Sequence, residues 1–232
     1  MLHPWPSQIA LSGVEAPLAT AALAWCLVLQ PGGRTPAGAI RLGLCMGLAC
    51  LARTDSVLLC LLVFLGAYAP PLLNRGDNEG RWRLPGLCLA GGSVLVLPWL
   101  GWNLAVFGRI SQDSARALSS LRHARYFDRN SFADFLGSAP GWLLGWMDAL
   151  GEMVWLPGWA LLSMLLLGLA VAFSAFRHRH PAAPVLVSAV GGVLFVAAVY
   201  SFYIWYRQHW YMLSSLMLLS LLAGLLCGLA AE

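Results

Sequence analysis

Long apolar runs separated by short polar breaks dominate the chain. Residues 42–52 are apolar, Arg53-Thr54-Asp55 interrupts, and residues 56–73 are largely apolar again. Runs of this length and apolarity predict membrane-crossing helices. The pattern places them at about 9–30, 38–52, 56–73, 85–107, 157–176, 182–205 and 210–230. That is an all-α polytopic membrane domain of about seven spans at roughly 20 residues each. No internal repeat or low-complexity tract divides it, so residues 1–232 read as one domain.

Connections between spans alternate between two faces. One face receives Gln30 to Ala37, Asn74 to Leu84 and Arg177 to Pro181. The other receives Arg53-Thr54-Asp55, the long segment 108–156 and Arg207-Gln208-His209. In the long segment, Ser111 to Asn130 predicts a helix carrying Arg116, Arg122, Arg125 and Arg129. Ser138 to Trp155 predicts an amphipathic interfacial helix, with Ser138 as its cap and Pro140 in its first turn. Trp142, Trp146, Trp155 and Trp159 are expected in an aromatic belt at the membrane surface.

Composition reinforces this class. Hydrophobic residues make up 59% of the chain and charged residues 10%, against about a quarter charged in soluble domains. All 14 basic residues are arginine. They divide equally between the two faces, so the positive-inside rule sets no orientation by count. The crowding of arginines into short loops favours the first face as cytoplasmic. Met1 to Gln8 has no charged n-region of a signal peptide. Nothing in the pattern suggests a nucleic-acid partner; membrane lipid is the expected surrounding. The six cysteines, Cys26, Cys45, Cys50, Cys60, Cys88 and Cys227, lie inside apolar runs with neither metal-ligand nor disulfide-framework spacing. They read as small buried hydrophobes, and no metal is expected in this chain.

Five polar constellations can carry chemistry, each with a structural reading beside the functional one. Arg53-Thr54-Asp55 can bind an anionic headgroup or simply cap two helix ends. Pro98-Trp99-Leu100-Gly101-Trp102-Asn103 is a proline kink whose Asn103 can bond the freed backbone or a substrate hydroxyl. Trp205 to Tyr211 sets Arg207 and His209 among aromatics, including Tyr211. Rings of this kind stack on sugars and arginine forks phosphate, although an interface belt has the same composition. Asp148 and Glu152 are four apart and share a helix face, so they are the candidate acid/base pair or the wet side of a surface helix. Glu15 near a span start is either a site residue or a snorkelling helix-end group.

In order along the chain these residues resemble the GT-C superfamily of membrane glycosyltransferases, in particular the family 39 and dolichyl-phosphate-mannose mannosyltransferase types. A "SGMEtxL" stretch is matched by Ser12-Gly13-Val14-Glu15-Ala16-Pro17-Leu18. A "GLaxLtRpDgxLL" hairpin is matched from Gly47 to Leu59, with Arg53 and Asp55 in register. A "PWlxwNxxxFG" helix end is matched by Pro98-Trp99 to Asn103 and Phe107-Gly108, and a late "R.WY" by Arg207, Trp210 and Tyr211. Val14, Thr54 and Ser56 replace the usual methionine, proline and glycine. The resemblance implies sugar transfer from a polyprenyl-phosphate donor at the exoplasmic face of a bacterial inner (plasma) membrane. It implies that the second face, with Arg53 and Arg207 as phosphate contacts, is exoplasmic. Trp99, Asn103 and Tyr211 then shape the sugar or lipid pocket, while Glu15 and Asp55 assist binding.

Family members carry further spans before this point, around a loop whose acid is the catalytic base, often beside a divalent metal. The chain corresponds to the family's C-terminal part, after that loop. The expectation is therefore a truncated or split enzyme, with an upstream-encoded membrane partner supplying loop and metal. Asp148 and Glu152 are the weak catalytic candidates within the chain itself. The competing expectation is a non-catalytic membrane subunit or lipid carrier on the same scaffold.

Overall fold

The computed structural model describes residues 15–54, 56–73, 82–108, 139–178, 180–199 and 209–231. Among these every regular element is helical: α1 (Ala16–Leu29), a 3-10 turn (Pro31–Arg34), α2 (Pro36–Ala52), α3 (Ser56–Leu73), α4 (Arg83–Phe107), α5 (Ala139–Val154), α6 (Gly158–Arg177), α7 (Ala183–Val199) and α8 (His209–Ala231). The predicted helix over 111–130 lies outside the described residues, as do Asp55, Arg179 and Arg207.

Helix ends follow local chemistry. Thr35 is extended and its hydroxyl accepts from the Gly38 amide at 3.1 Å, with Pro36 at the first helical position, so α2 starts there. Arg53 is extended at φ −150° and ψ 124°, and its amide donates to the Ala49 carbonyl at 2.9 Å, so α2 stops there. Gly108 ends α4 at φ +66°, a left-handed position that glycine occupies without strain.

The structure supports an all-α membrane protein and narrows the count of unaided crossings. Among the described residues, three helical stretches, Arg83–Phe107, Gly158–Arg177 and Met212–Leu229, are long and apolar enough to cross a bilayer. Ala16–Leu29, Pro36–Ala52, Ser56–Tyr68 and Ala183–Val199 are shorter apolar helices standing where four further spans were expected. The Thr35 cap and the extended Arg53 hold α2 to 17 residues, about 25 Å at 1.5 Å per residue.

Small residues set the closest packing. A Cβ on Gly43 would strike the Cys88 carbonyl, and one on Gly47 would lie 2.8 Å from the Gly92 carbonyl. Ascending residues of α2 thus meet ascending residues of α4: the two helices run parallel with backbones in contact. α3, between them in the chain, packs on α1, α2 and α7. On the other side, α7 is buried along most of its length against α3, α6 and α8.

The expected helix over 138–155 is present over Ala139–Val154, but one of its tryptophans departs from expectation. α5 forms with one face exposed at Leu144, Asp148 and Glu152 and the other turned inward, where Trp146, expected in the belt, is fully buried with Met147 and Leu150. The Trp146 indole donates from Nε1 to Ser215 Oγ at 3.4 Å. Trp155 and Trp159 are exposed as a belt requires. The α5 stripe is covered by α6 and α7 instead of lipid.

Candidate functional site

A cavity of about 570 Å³ opens between α2, α3 and α4. Gly43 and Gly47 on α2 and Gly92 on α4 form part of its wall, where missing side chains leave room. Met46, Cys60, Phe64 and Cys88 line its deeper part, and Cys50, Thr54, Val57 and Trp99 its Arg53 end. The lining is apolar apart from hydroxyls and thiols. A slot of this chemistry takes a hydrocarbon chain and offers almost nothing to a charged group along its length.

Arg53 and Thr54 form the turn at that end. Arg53 is half-buried and Thr54 exposed. The turn is tied by two backbone bonds, Ser56 to the Arg53 carbonyl at 3.0 Å and Val57 to the Thr54 carbonyl at 3.3 Å. Trp99 stands half-buried across from Thr54 on the α4 wall. Asn103 is one turn further along and half-buried. Residues four apart share a helix face, so Asn103 continues the Trp99 stripe past the cavity mouth. Pro98 sits inside α4, where its missing N–H leaves the Val94 carbonyl without the usual donor. Of the predicted site residues, Trp99 lines the groove, while Arg53 immediately precedes the lining residue Thr54 and Asn103 lies one helical turn past Trp99.

Glu15, Asp148 and Glu152 do not line the groove. Glu15 is exposed at the N-cap of α1, makes no side-chain cap bond, and lends its carbonyl to the Ala19 amide at 3.0 Å. Asp148 and Glu152 are exposed on α5, which packs on α6 and α7. The Asp148 carboxylate lies against Gly158, the first residue of α6. A negative charge there complements the partial positive charge of a helix N-terminus, which gives Asp148 a structural role. His209 and Tyr211 fall in the first turn of α8 with side chains outside the described set, and Asp55 and Arg207 lie outside it altogether.

Sequence reasoning missed the sulfur content of the groove. Five cysteines from four helices converge on this side of the protein. Cys45 Sγ donates to the Ala22 carbonyl at 3.3 Å, Cys60 Sγ reaches the Met46 carbonyl at 3.7 Å, and Cys88 Sγ lies 3.8 Å from Met46 Sδ. Cys26, Cys60 and Cys88 are buried as expected, whereas Cys227 is exposed. No local spacing signals such convergence, because the thiols are spread over four separate helices. Among the described residues no group of His, Cys, Asp or Glu could hold a metal ion.

A second polar feature was also missed. At the opposite end, Gln30 is buried and its Nε2 donates to the Val63 carbonyl at 3.0 Å and to Ser188 Oγ at 2.9 Å. The Tyr68 hydroxyl donates to the Gly33 carbonyl at 3.2 Å. These bonds hold the ends of α1, α3 and α7 together, so the groove opens on a braced frame.

No protein-family model, curated protein or solved structure matches this chain.

Proposed function

We propose that the chain binds a polyprenyl-phosphate-linked sugar, as the donor-binding scaffold of a GT-C-type membrane glycosyltransferase. The observation that carries this reading is the apolar groove between α2, α3 and α4 ending at Thr54 and Trp99 beside Arg53. The isoprenoid chain lies in the groove. Its phosphate meets the Arg53-Thr54 turn, where a guanidinium can make a forked bond. The sugar then stands above Trp99, with Asn103 within the same stripe for a hydroxyl. In the full reading all seven apolar helices cross a bacterial plasma membrane, and the Arg53 end faces outward.

Transfer itself has the acceptor hydroxyl oxygen attack the anomeric carbon. The phosphate leaves with the electrons of the broken C–O bond, and a carboxylate takes the hydroxyl proton. Among the described residues the groove lining contains no acid. The base therefore belongs to residues beyond that lining or to a partner, and so does any divalent metal. A non-catalytic lipid-binding subunit uses the same groove, and it differs in giving binding without turnover.

The test is retention of polyprenyl phosphate by the detergent-purified chain, read by native mass spectrometry. Leu61 and Leu89 line the groove and are exposed within it. Leu61→Trp or Leu89→Trp fills the slot and is expected to abolish retention while the fold persists. Undiminished retention in both variants would remove the groove from the reading.

A further inference from the structure

Tertiary contacts sort the charges between the two ends of the bundle. Gln30 at the end of α1 bonds to Ser188 near the start of α7, and Tyr68 late in α3 reaches the Gly33 carbonyl of the 3-10 turn. That turn leads into α2, and α4 runs parallel to α2 with Cys88 beside Gly43, so both begin at this end. α6 finishes there too: the His180 amide bonds to the Ala175 carbonyl at 2.8 Å and the chain turns straight into α7. Arg34, Arg41, Arg83 and Arg177 are therefore gathered at one end, all exposed. The described acids are at the other. Glu15 precedes α1, and Asp148 rests on the start of α6 with Glu152 one turn along α5. Residues 74–81, between α3 and α4 in the chain, add two arginines and two acids and so no net charge.

Helix electrostatics does not account for this placement. Arg83 is the first residue of α4, where the helix dipole is positive and a cation is disfavoured, and the first turn carries no acid. Arg41 lies in the second turn of α2. Side chains of a helix lean toward its N-terminus, so the Arg41 guanidinium snorkels to the same end. Exposed apolar side chains adjoin these cations: Ile40 and Leu44 beside Arg41, Trp82 beside Arg83, and Phe173 and Phe176 beside Arg177. A phospholipid offers both matching parts, an anionic phosphate for the guanidinium and acyl chains for the apolar surface below it. An acidic soluble protein offers the charge alone.

We propose that the end of the bundle bearing Arg34, Arg41, Arg83 and Arg177 is a contact surface for anionic phospholipid headgroups, seated in the negatively charged leaflet of the membrane. It lies opposite the Arg53 end and does not rest on the sugar-donor reading.

The experiment gives the full chain in detergent an equimolar mixture of phosphatidylglycerol and phosphatidylcholine and counts the retained lipids by native mass spectrometry. Phosphatidylglycerol is expected to be retained in preference. Replacing one arginine by glutamine should weaken its binding by about fivefold. The combined variant Arg34→Gln, Arg41→Gln, Arg83→Gln and Arg177→Gln should retain both lipids equally. Circular dichroism checks its fold, and single Arg83→Gln and Arg177→Gln variants carry the test if the combined one misfolds. Equal retention of the two lipids by the unaltered chain, or an undiminished preference in the variants, overturns the surface. A preference kept in the combined variant but lost in Arg53→Gln would move the lipid to the opposite end and overturn it equally. Displacement of phosphatidylglycerol by glycerol phosphate, which has no acyl chains, would make this a soluble-anion surface and overturn the lipid assignment.

Discussion

Gln30 and Ser188, 158 positions apart, are joined by a 2.9 Å hydrogen bond from the glutamine Nε2 to the serine Oγ at a buried point between α1, α3 and α7. The same amide donates to the Val63 carbonyl at 3.0 Å, and the serine hydroxyl lies 3.4 Å from the Leu62 carbonyl. Gln30 Oε1 has no partner among the described residues. Hydrogen bonds between helices in a membrane average well under 2 kcal/mol, because the unfolded helices also find partners. Gln30→Leu is expected to cost about 1–2 kcal/mol, softened by removal of the unpaired oxygen. Gly66→Ala should cost more, about 1–3 kcal/mol, since its methyl would strike Ser188 Oγ and lie 2.6 Å from Gln30 Nε2. Thermal unfolding in detergent reads both, and an unchanged midpoint for Gly66→Ala would show that the node is loose.

The α2–α4 seam predicts a contrast between two glycines. At Gly43 an added methyl meets the Cys88 backbone carbonyl, which cannot swing away. Gly43→Ala should lower stability by about 1–3 kcal/mol and disturb the groove. At Gly101 nothing among the described residues lies within 4 Å of the added carbon. Gly101→Ala should be neutral or stabilising by about 0.5–1 kcal/mol, because a helical glycine carries an entropic penalty. Equal destabilisation by both would mean that the helices do not meet as described.

Trp146 and Trp159 should separate in the same way. Trp146 is fully buried and bonded to Ser215, whereas Trp159 is 69% exposed. Trp146→Ala is expected to cost about 3–5 kcal/mol. Trp146→Phe keeps much of the ring volume and loses the N–H bond, about 0.5–1.5 kcal/mol. Trp159→Ala should stay within about 0.5 kcal/mol. Denaturation monitored by circular dichroism distinguishes a core tryptophan from an interface one.

On the proposed function, Arg53→Ala should weaken polyprenyl-phosphate binding far more than Arg53→Lys, which keeps the charge and loses the fork. A hydrogen bond to a charged group contributes about 1.5–3 kcal/mol, roughly 10- to 150-fold in affinity. Asp148→Asn and Glu152→Gln should leave that affinity unchanged, since α5 does not line the groove. Titration of the lipid into nanodisc-held protein measures all four variants. Intact affinity with lowered stability in Arg53→Ala would make the turn a helix cap alone.

Parts of the site were legible from residue order. Arg53-Thr54 stood out because a charge between apolar runs is costly unless placed for a purpose, and Pro98 to Asn103 because proline interrupts a helix. Their sharing of one pocket was expected only through the family resemblance; residue order alone does not give it, since it depends on the Gly43, Gly47 and Gly92 contacts. Gly43/Gly47 by itself meant only packing. The Gln30–Ser188 node was invisible for a related reason: each is a lone uncharged polar residue at or within an apolar run.

Local chemistry in the sequence was enough to determine that the chain is helical and apolar, and where its breaks fall. Caps, prolines and charges act over one turn, so Thr35, Arg53 and Gly108 end their helices wherever the helices sit. Only tertiary structure decided which faces meet. Helices that are apolar all round have little sidedness, and hydrocarbon and protein interior make nearly the same demand on a side chain. Hydropathy therefore could not tell that Trp146 turns inward while Trp159 turns outward. Nor could it show that Asp148 rests on the start of α6, or that thiols from four helices share one side of the protein. Those choices fall to close backbone contacts at small residues and to a few buried hydrogen bonds, both made between residues far apart in the chain.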